Sequence, residues 1–296
     1  MSAIVSEFEY FKPKTLSVVF ELMTKLQDYV FLAGGTDLIC HLKEDIVRPT
    51  NIIDIKEIDE LKKINLTDDY LTLGSLVTFS QIIEHESLKT CFPLLVEASM
   101  TVASGAVRNR ATMVGNICSA VPCLDSGAPL MVYEAEVVVK SSKAERIVPI
   151  HEWFLGPRKT ALQKGEIVVA LRMKNLSSKQ GGVYVKLGRY TGEDLAQASV
   201  AVLKLTQNEY RVSFGSLSPT PLRAKKIEAH LKGKVLDNKL IEEVKALVEK
   251  EITPITDIRA TKEYRLHMAK VMMERALKAS TERLEGLGPK LGTALI

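Results

Sequence analysis

Apolar residues first recur at helical spacing at Leu16, Val19, Phe20, Met23 and Leu26, and Thr15 stands before them as a capping residue, which predicts a helix. Short apolar or alternating runs at Tyr29–Leu32, Asn51–Ile55, Tyr70–Leu76, Glu136–Lys140 and Glu166–Leu171 predict strands. Helices are predicted near 79–85, 93–104 and 129–133. The pattern then breaks at a polar, glycine-ended stretch, Asn175–Gly182, suited to a domain junction. Beyond it the strands Val183–Arg189, Ser199–Leu205 and Tyr210–Leu217 precede two closing helices, about 237–250 and 261–279. The last presents Tyr264, Met268, Val271 and Met272 on one side, read as core packing before partner surface.

These patterns divide the chain into residues 1–176, with lobes of about 1–58 and 59–176, a second α+β unit over 177–284, and a tail, 285–296. The tail holds Gly286, Gly288, Pro289 and Gly292, and is predicted to be mobile unless a partner orders it.

Composition narrows the function classes. The 296 residues are 46% hydrophobic and 26% charged, enough to bury a sizeable core. The net charge of +4 is spread over 40 basic and 36 acidic residues, without the basic stripe of a nucleic-acid binder or the long apolar run of a membrane span. Residues Met1–Tyr10 lack a basic segment followed by an apolar one, so a cytoplasmic location is expected. Of the four cysteines, Cys118 and Cys123 are near neighbours with no histidine beside them, and structural filling is favoured over a metal site. No nucleophile with an adjacent base, no paired carboxylates and no metal-ligand spacing stand out, so no catalytic or metal residues are assigned.

Two stretches carry ligand chemistry. Ala33-Gly34-Gly35-Thr36-Asp37-Leu38 follows the apolar Phe31 and Leu32 and opens onto a short helix, an order that brings backbone N–H groups to phosphate oxygens. Asp37 is read as a helix cap, since a carboxylate repels phosphate. The second stretch, Ala111–Asp125, has Thr112, Gly115 and Asn116 at its start and reads as a loop whose backbone closely approaches a ligand. Arg108 and Arg110 flank it, and either could reach a phosphate. Asp54 lies twenty residues after Gly34, the spacing of a dinucleotide fold, but a third glycine is missing, and Asp54 is read as the polar face of a strand.

Together the two stretches resemble the FAD-binding subunit of the molybdenum hydroxylases, the family of the aerobic-type carbon monoxide dehydrogenase middle subunit and the xanthine dehydrogenase flavin domain. Its motifs are Ala-Gly-Gly-Thr-Asp-Leu and a Thr/Ser-x-Gly-Gly-Asn with an Asp some nine residues on. Thr36, Thr112, Gly115, Asn116 and Asp125 fall in register, and Val114 stands where the family has a first glycine. The segment Tyr184-Val185-Lys186-Leu187-Gly188-Arg189 with Asp194-Leu195-Ala196 is similar to a further family signature, and the resemblance extends through Gly215–Ala224 and Asp257–Arg265.

The resemblance implies an α+β fold: a two-lobed PCMH-type FAD-binding domain followed by a smaller antiparallel sheet with helices. It implies FAD at Phe31, Leu32, Ala33, Gly34, Gly35, Thr36, Asp37, Leu38, Val102, Ala111, Thr112, Gly115, Asn116 and Asp125, with Ile167 or Val168 against the flavin. Lys186 would favour the negative charge of the reduced ring. Implied partners are a [2Fe-2S] iron-sulfur subunit and a molybdenum-cofactor subunit, with NAD, a quinone or another carrier as acceptor. Two other classes stay open: a free-standing NAD-dependent dehydrogenase, and a scaffold subunit that has lost its flavin, to which Val114 points.

Overall fold

The computed structural model describes residue 4 and residues 6–176, 179–190, 193–205 and 208–296. The first lobe holds β1 (Glu9–Phe11), α1 (Leu16–Lys25), β2 (Val30–Leu32), α2 (Leu38–Lys43) and β3 (Asn51–Asp54), and its three strands form a parallel sheet in the order β1-β3-β2. The Thr15 hydroxyl accepts the Val18 N–H and starts α1, whose Leu16, Val19 and Met23 are buried.

The second lobe runs through β4 (Ile64–Leu66), β5 (Tyr70–Gly74), α3 (Phe79–Glu84), α4 (Glu86–Cys91), α5 (Pro93–Met100), α6 (Gly105–Arg108), α7 (Met113–Ser119) and α8 (Gly127–Val132). It continues with β6 (Glu136–Lys140), β7 (Glu145–Pro149), α9 (Ile150–Trp153), the hairpin β8 (Phe154–Gly156) and β9 (Lys159–Thr160), and β10 (Ile167–Lys174). Its sheet is antiparallel, β4-β5-β10-β6-β7, so the chain returns at β10 to fill the centre. Such a return is invisible to local periodicity.

The third unit is an antiparallel meander, β11 (Gly181–Leu187), β12 (Ala198–Leu205), β13 (Glu209–Gly215) and β14 (Leu222–Arg223), packed by α10 (Lys225–Leu231), α11 (Asn238–Leu247) and α12 (Lys262–Glu285). Every residue of β12 is buried, because its two faces serve different cores. Val200 and Val202 lie in the C-terminal core, whereas Ala201 and Leu203 join the core of the second lobe. Met272 of α12 is core, Tyr264 is exposed, and the helix runs to Glu285, past the expected end at 279. Residues 177 and 178 of the expected junction lie outside the described residues.

Three expectations change. The Ala111–Asp125 stretch is not one loop, since its first part forms the helix α7 and a turn follows: the Thr112 hydroxyl accepts the Gly115 N–H at 2.9 Å, and Ala120 ends α7 in the left-handed region, φ 46°. The tail is tethered. Arg283 donates to the carbonyls of Pro289 and Lys290, Gly292 N–H donates to Glu97, and Leu291 and Leu295 pack against the two large cores. Cys118 is exposed, not packed inside. No helix among the described residues is long and apolar enough to cross a membrane.

Candidate cofactor-binding site

Between β2 and α2 the chain makes its glycine turn. Gly35 has φ +78°, a conformation costly for any residue with a Cβ. Gly34 is fixed for another reason: a Cβ there would lie 2.0 Å from the Arg110 carbonyl oxygen, so this turn and the segment leading into α7 touch backbone to backbone. A second tie joins the Ser119 hydroxyl to the Asp37 carboxylate. Asp37 does occupy the N-cap position of α2, but its side chain makes no capping hydrogen bond there and instead reaches across to the far end of α7.

The donors of this turn are unused. Among the described residues, the N–H groups of Gly34, Gly35 and Thr36 donate to no protein acceptor, and neither does that of Val114 in the first turn of α7. Half-buried N–H groups without partners are rare in folded proteins, and clustered ones suit an anion. The Asn116 side-chain oxygen accepts from the Ser126 hydroxyl and backbone N–H, which leaves its amide nitrogen free to donate outward. This donor set fits a diphosphate with hydroxyl-bearing neighbours.

Val114 does not obstruct it. The side chain is 4% exposed and belongs to the second-lobe core, so the residue that departs from the family's glycine pair points away from the free amides. Between the turn and α3 opens a cleft of about 400 Å³, lined by Gly34, Leu76, Thr78, Arg110 and Thr112, with Lys56 and Lys62 also contributing. The two candidate arginines separate here. Arg108 is consumed by the Val102 and Ala103 carbonyls, whereas the exposed Arg110 guanidinium makes no hydrogen bond or ion pair among the described residues and lines the cleft.

Asp125 and Lys186 meet. The Lys186 ammonium donates to the Asp125 carboxylate and to the Thr101 carbonyl, both at 2.8 Å, and the Tyr184 hydroxyl donates to the other Asp125 oxygen at 3.0 Å. Burial pushes the Asp125 carboxyl upward, against the pull of Lys186, and burial beside that carboxylate keeps the Tyr184 phenol protonated, well above its usual range. Lys186 therefore does not stand free as a lone cation. It belongs to a neutralised pair where the C-terminal sheet meets the second lobe.

The expected apolar contacts divide. Ile167 packs in the first-lobe core and Val168 in the second-lobe core, as alternation along β10 requires, so the two face opposite ways. Phe31, Leu32 and Leu38 line the first-lobe cores, and Val102 lies at the edge of the second-lobe core near Ala111. Asp54 is buried, not a polar strand face: Tyr10 donates to it, as do the Lys56 N–H at 3.0 Å and the Lys56 ammonium at 2.8 Å. Its oxygens are hydrogen-bonded, and burial, together with the hydrogen bond to Asp54, pushes the Tyr10 phenol up to about 12. Among the described residues no group of three His, Cys, Asp or Glu could hold a metal ion.

Sequence reasoning missed Tyr184, Ser119, Ser126 and Trp153, whose indole N–H donates to the Ile117 carbonyl at 3.0 Å and steadies α7. Tyr184 alone had a signal, since it lies two residues before Lys186 on one strand and so shares its face.

Similarity to known proteins decides the family. Residues 6–173 match the family described as the FAD binding domain in molybdopterin dehydrogenase, and residues 183–280 match the CO dehydrogenase flavoprotein C-terminal domain. This chain belongs to the molybdopterin dehydrogenase flavoprotein family. It is 31% identical over 288 residues to the xanthine dehydrogenase FAD-binding subunit of Escherichia coli O157:H7, covering 95% of this chain and 98% of that one. It is also 31% identical to the carbon monoxide dehydrogenase medium chain of Hydrogenophaga pseudoflava, with 95% and 99% covered. A solved structure of carbon monoxide dehydrogenase from that organism superposes with a TM-score of 0.90 over 95% of this chain and 99% of the matched chain. As a flavoprotein of this family, the chain has the mixed α and β fold expected of it, an FAD-binding domain followed by a C-terminal domain.

Proposed function

We propose that this chain carries FAD as the electron-transfer subunit of a molybdenum hydroxylase complex, receiving electrons from an iron-sulfur subunit that serves a molybdenum-cofactor subunit. The acceptor would be NAD, a quinone or another carrier, and the complex would work in the cytoplasm. FAD, when bound, supplies the redox chemistry, and the protein supplies position and electrostatics.

The observation that carries this reading is the cluster of free N–H groups at Gly34, Gly35 and Thr36, set backbone to backbone against the segment leading into α7. In the proposed arrangement these amides and that of Val114 hold the diphosphate, while Thr112 fixes α7 beside them and Asn116 donates to the ligand's hydroxyls. Ala33, Asp37, Leu38 and Ala111 frame the turn, and Phe31, Leu32, Val102 and one of Ile167 or Val168 supply apolar contact. The Asp125–Lys186 pair presents a hydrogen-bonding edge to the flavin end. We take 1–176 as the FAD-binding unit, 177–284 as the C-terminal unit and 285–296 as the tail.

The test is the visible spectrum of the purified chain after FAD addition and desalting. Retained flavin bands are expected. Thr36→Glu places a carboxylate among the free amides and should abolish retention while circular dichroism stays unchanged. A Thr36→Glu protein that keeps its flavin would remove the turn from the site. A colourless unaltered chain would favour the scaffold reading, and NAD binding without flavin the dehydrogenase reading.

A further inference from the structure

Glu97 of α5 is 3% exposed and takes no part in the contacts proposed for the cofactor. Four N–H donors converge on its carboxylate. Arg283 donates to both oxygens, at 2.7 and 3.0 Å, the Tyr184 backbone N–H donates at 2.7 Å, and the Gly292 N–H of the tail donates at 3.0 Å. Those donors come from α12, β11 and the tail, so one side chain of the FAD-binding unit joins two elements of the C-terminal unit and the tail beyond it.

The junction leads to the Asp125–Lys186 pair. Tyr184 is held at both ends, its N–H by Glu97 and its hydroxyl by Asp125. Lys186 follows two residues later on the same strand, and its second acceptor is the carbonyl of Thr101, which caps the end of α5 four residues after Glu97. The Thr101 contact that helps aim the lysine therefore depends on how β11 sits against α5, and Glu97 hydrogen-bonds across that junction, while Asp125, from the segment between α7 and α8, supplies the other contact. We infer that Glu97 is a positioning residue for the Tyr184–Asp125–Lys186 group, and that the C-terminal tail acts on that group through Glu97.

The tail is shaped for this contact. Gly292 has φ +81°, Leu291 packs against the second-lobe core, and the Arg275 guanidinium donates to the Leu295 carbonyl. Arg283, besides Glu97, donates to the carbonyls of Gly182, Pro289 and Lys290, so its guanidinium ties β11 and the tail together. A buried carboxylate with this many donors is rigid, and losing any of them leaves charge uncompensated.

The inference rests on the flavin reading above, and its test separates the two. In the full chain, Gly292→Pro removes the N–H and forbids the left-handed φ, whereas Glu97→Gln weakens every contact at once. FAD affinity is read by fluorescence titration, and the reduced fraction of bound flavin is read against a redox dye. Coupling through packed elements of this size predicts affinity lower by about threefold for Gly292→Pro and about tenfold for Glu97→Gln, with a smaller reduced fraction in both as Lys186 loses its aim. A mere staple would lower thermal stability and leave affinity within twofold and the reduced fraction unchanged, and that result overturns the inference. If Glu97→Gln does not fold, Gly292→Pro decides alone by the same criteria. An unaltered chain that binds no FAD rejects the flavin reading and this inference with it.

Discussion

The Gly34–Thr36 turn and the Asp125–Lys186 pair belong to one proposed site and are built in opposite ways. The turn leaves its donors unsatisfied, at the surface, on backbone whose shape glycine permits. The pair is buried and neutralised: each charged group already has its partner, and Tyr184 and Thr101 add a further hydrogen bond to each. Unpaired amides can wait for a ligand because each carries only a partial charge and keeps some contact with water. A full charge in the interior cannot wait, so it is neutralised before any ligand arrives.

The sharpest break of this contrast is Lys186→Met, which strands the Asp125 carboxylate. Removing one partner of a buried pair costs about 3–5 kcal/mol, and calorimetry should show a loss of that order, largely recovered when Asp125→Leu is added. Next comes Val114→Gly, which empties a core position and adds helix flexibility, for a loss of roughly 2–4 kcal/mol. Because Val114 faces the core, flavin affinity should stay within about twofold of the unaltered chain. A large gain in affinity would show that the side chain had been obstructing the amides.

Thr112→Ala removes the cap of α7 and should cost about 1 kcal/mol in denaturant unfolding, with weaker FAD binding as the first turn frays. A further effect, read against pH, concerns Asp257. Burial works against its ionised form, yet hydrogen bonds from Arg259, Arg265 and the Arg259 and Ala260 N–H groups hold its carboxyl well below the usual range. A depressed carboxyl contributes stability that is present above the unfolded-state value, about 3.9, and is lost as pH falls toward the folded-state value. Asp257→Asn should therefore flatten the acid limb of a stability-against-pH curve below about pH 4, measured by urea unfolding, and leave the neutral region parallel to the unaltered chain.

The turn was legible because glycine, Thr36 and a preceding apolar run announce local backbone shape. Asp37 stands at the cap position as read, but the partner of its side chain, Ser119, lies 82 residues away and was out of reach of a local reading. The Ala111–Asp125 stretch was read as a loop because its Thr, Gly, Asn and Ser residues have weak helix propensity, and the deciding contacts are the Thr112 cap and the buried Trp153 bond to Ile117. Ile167 and Val168 could not be told apart in sequence, since both are aliphatic and the cores on either side of β10 are formed by other parts of the chain.

The sequence by itself determined the local elements, the glycine turn, the order of two α+β units and the family, because propensity, periodicity and short motifs act over a few residues. Only the tertiary structure decided that Lys186 is paired, that Val114 faces inward, that Arg110 lines the cleft while Arg108 is held by backbone carbonyls, and that the tail is tied to Glu97. Each of those outcomes depends on which groups a folded chain places within hydrogen-bond distance and removes from water, and no spacing along the sequence encodes that distance.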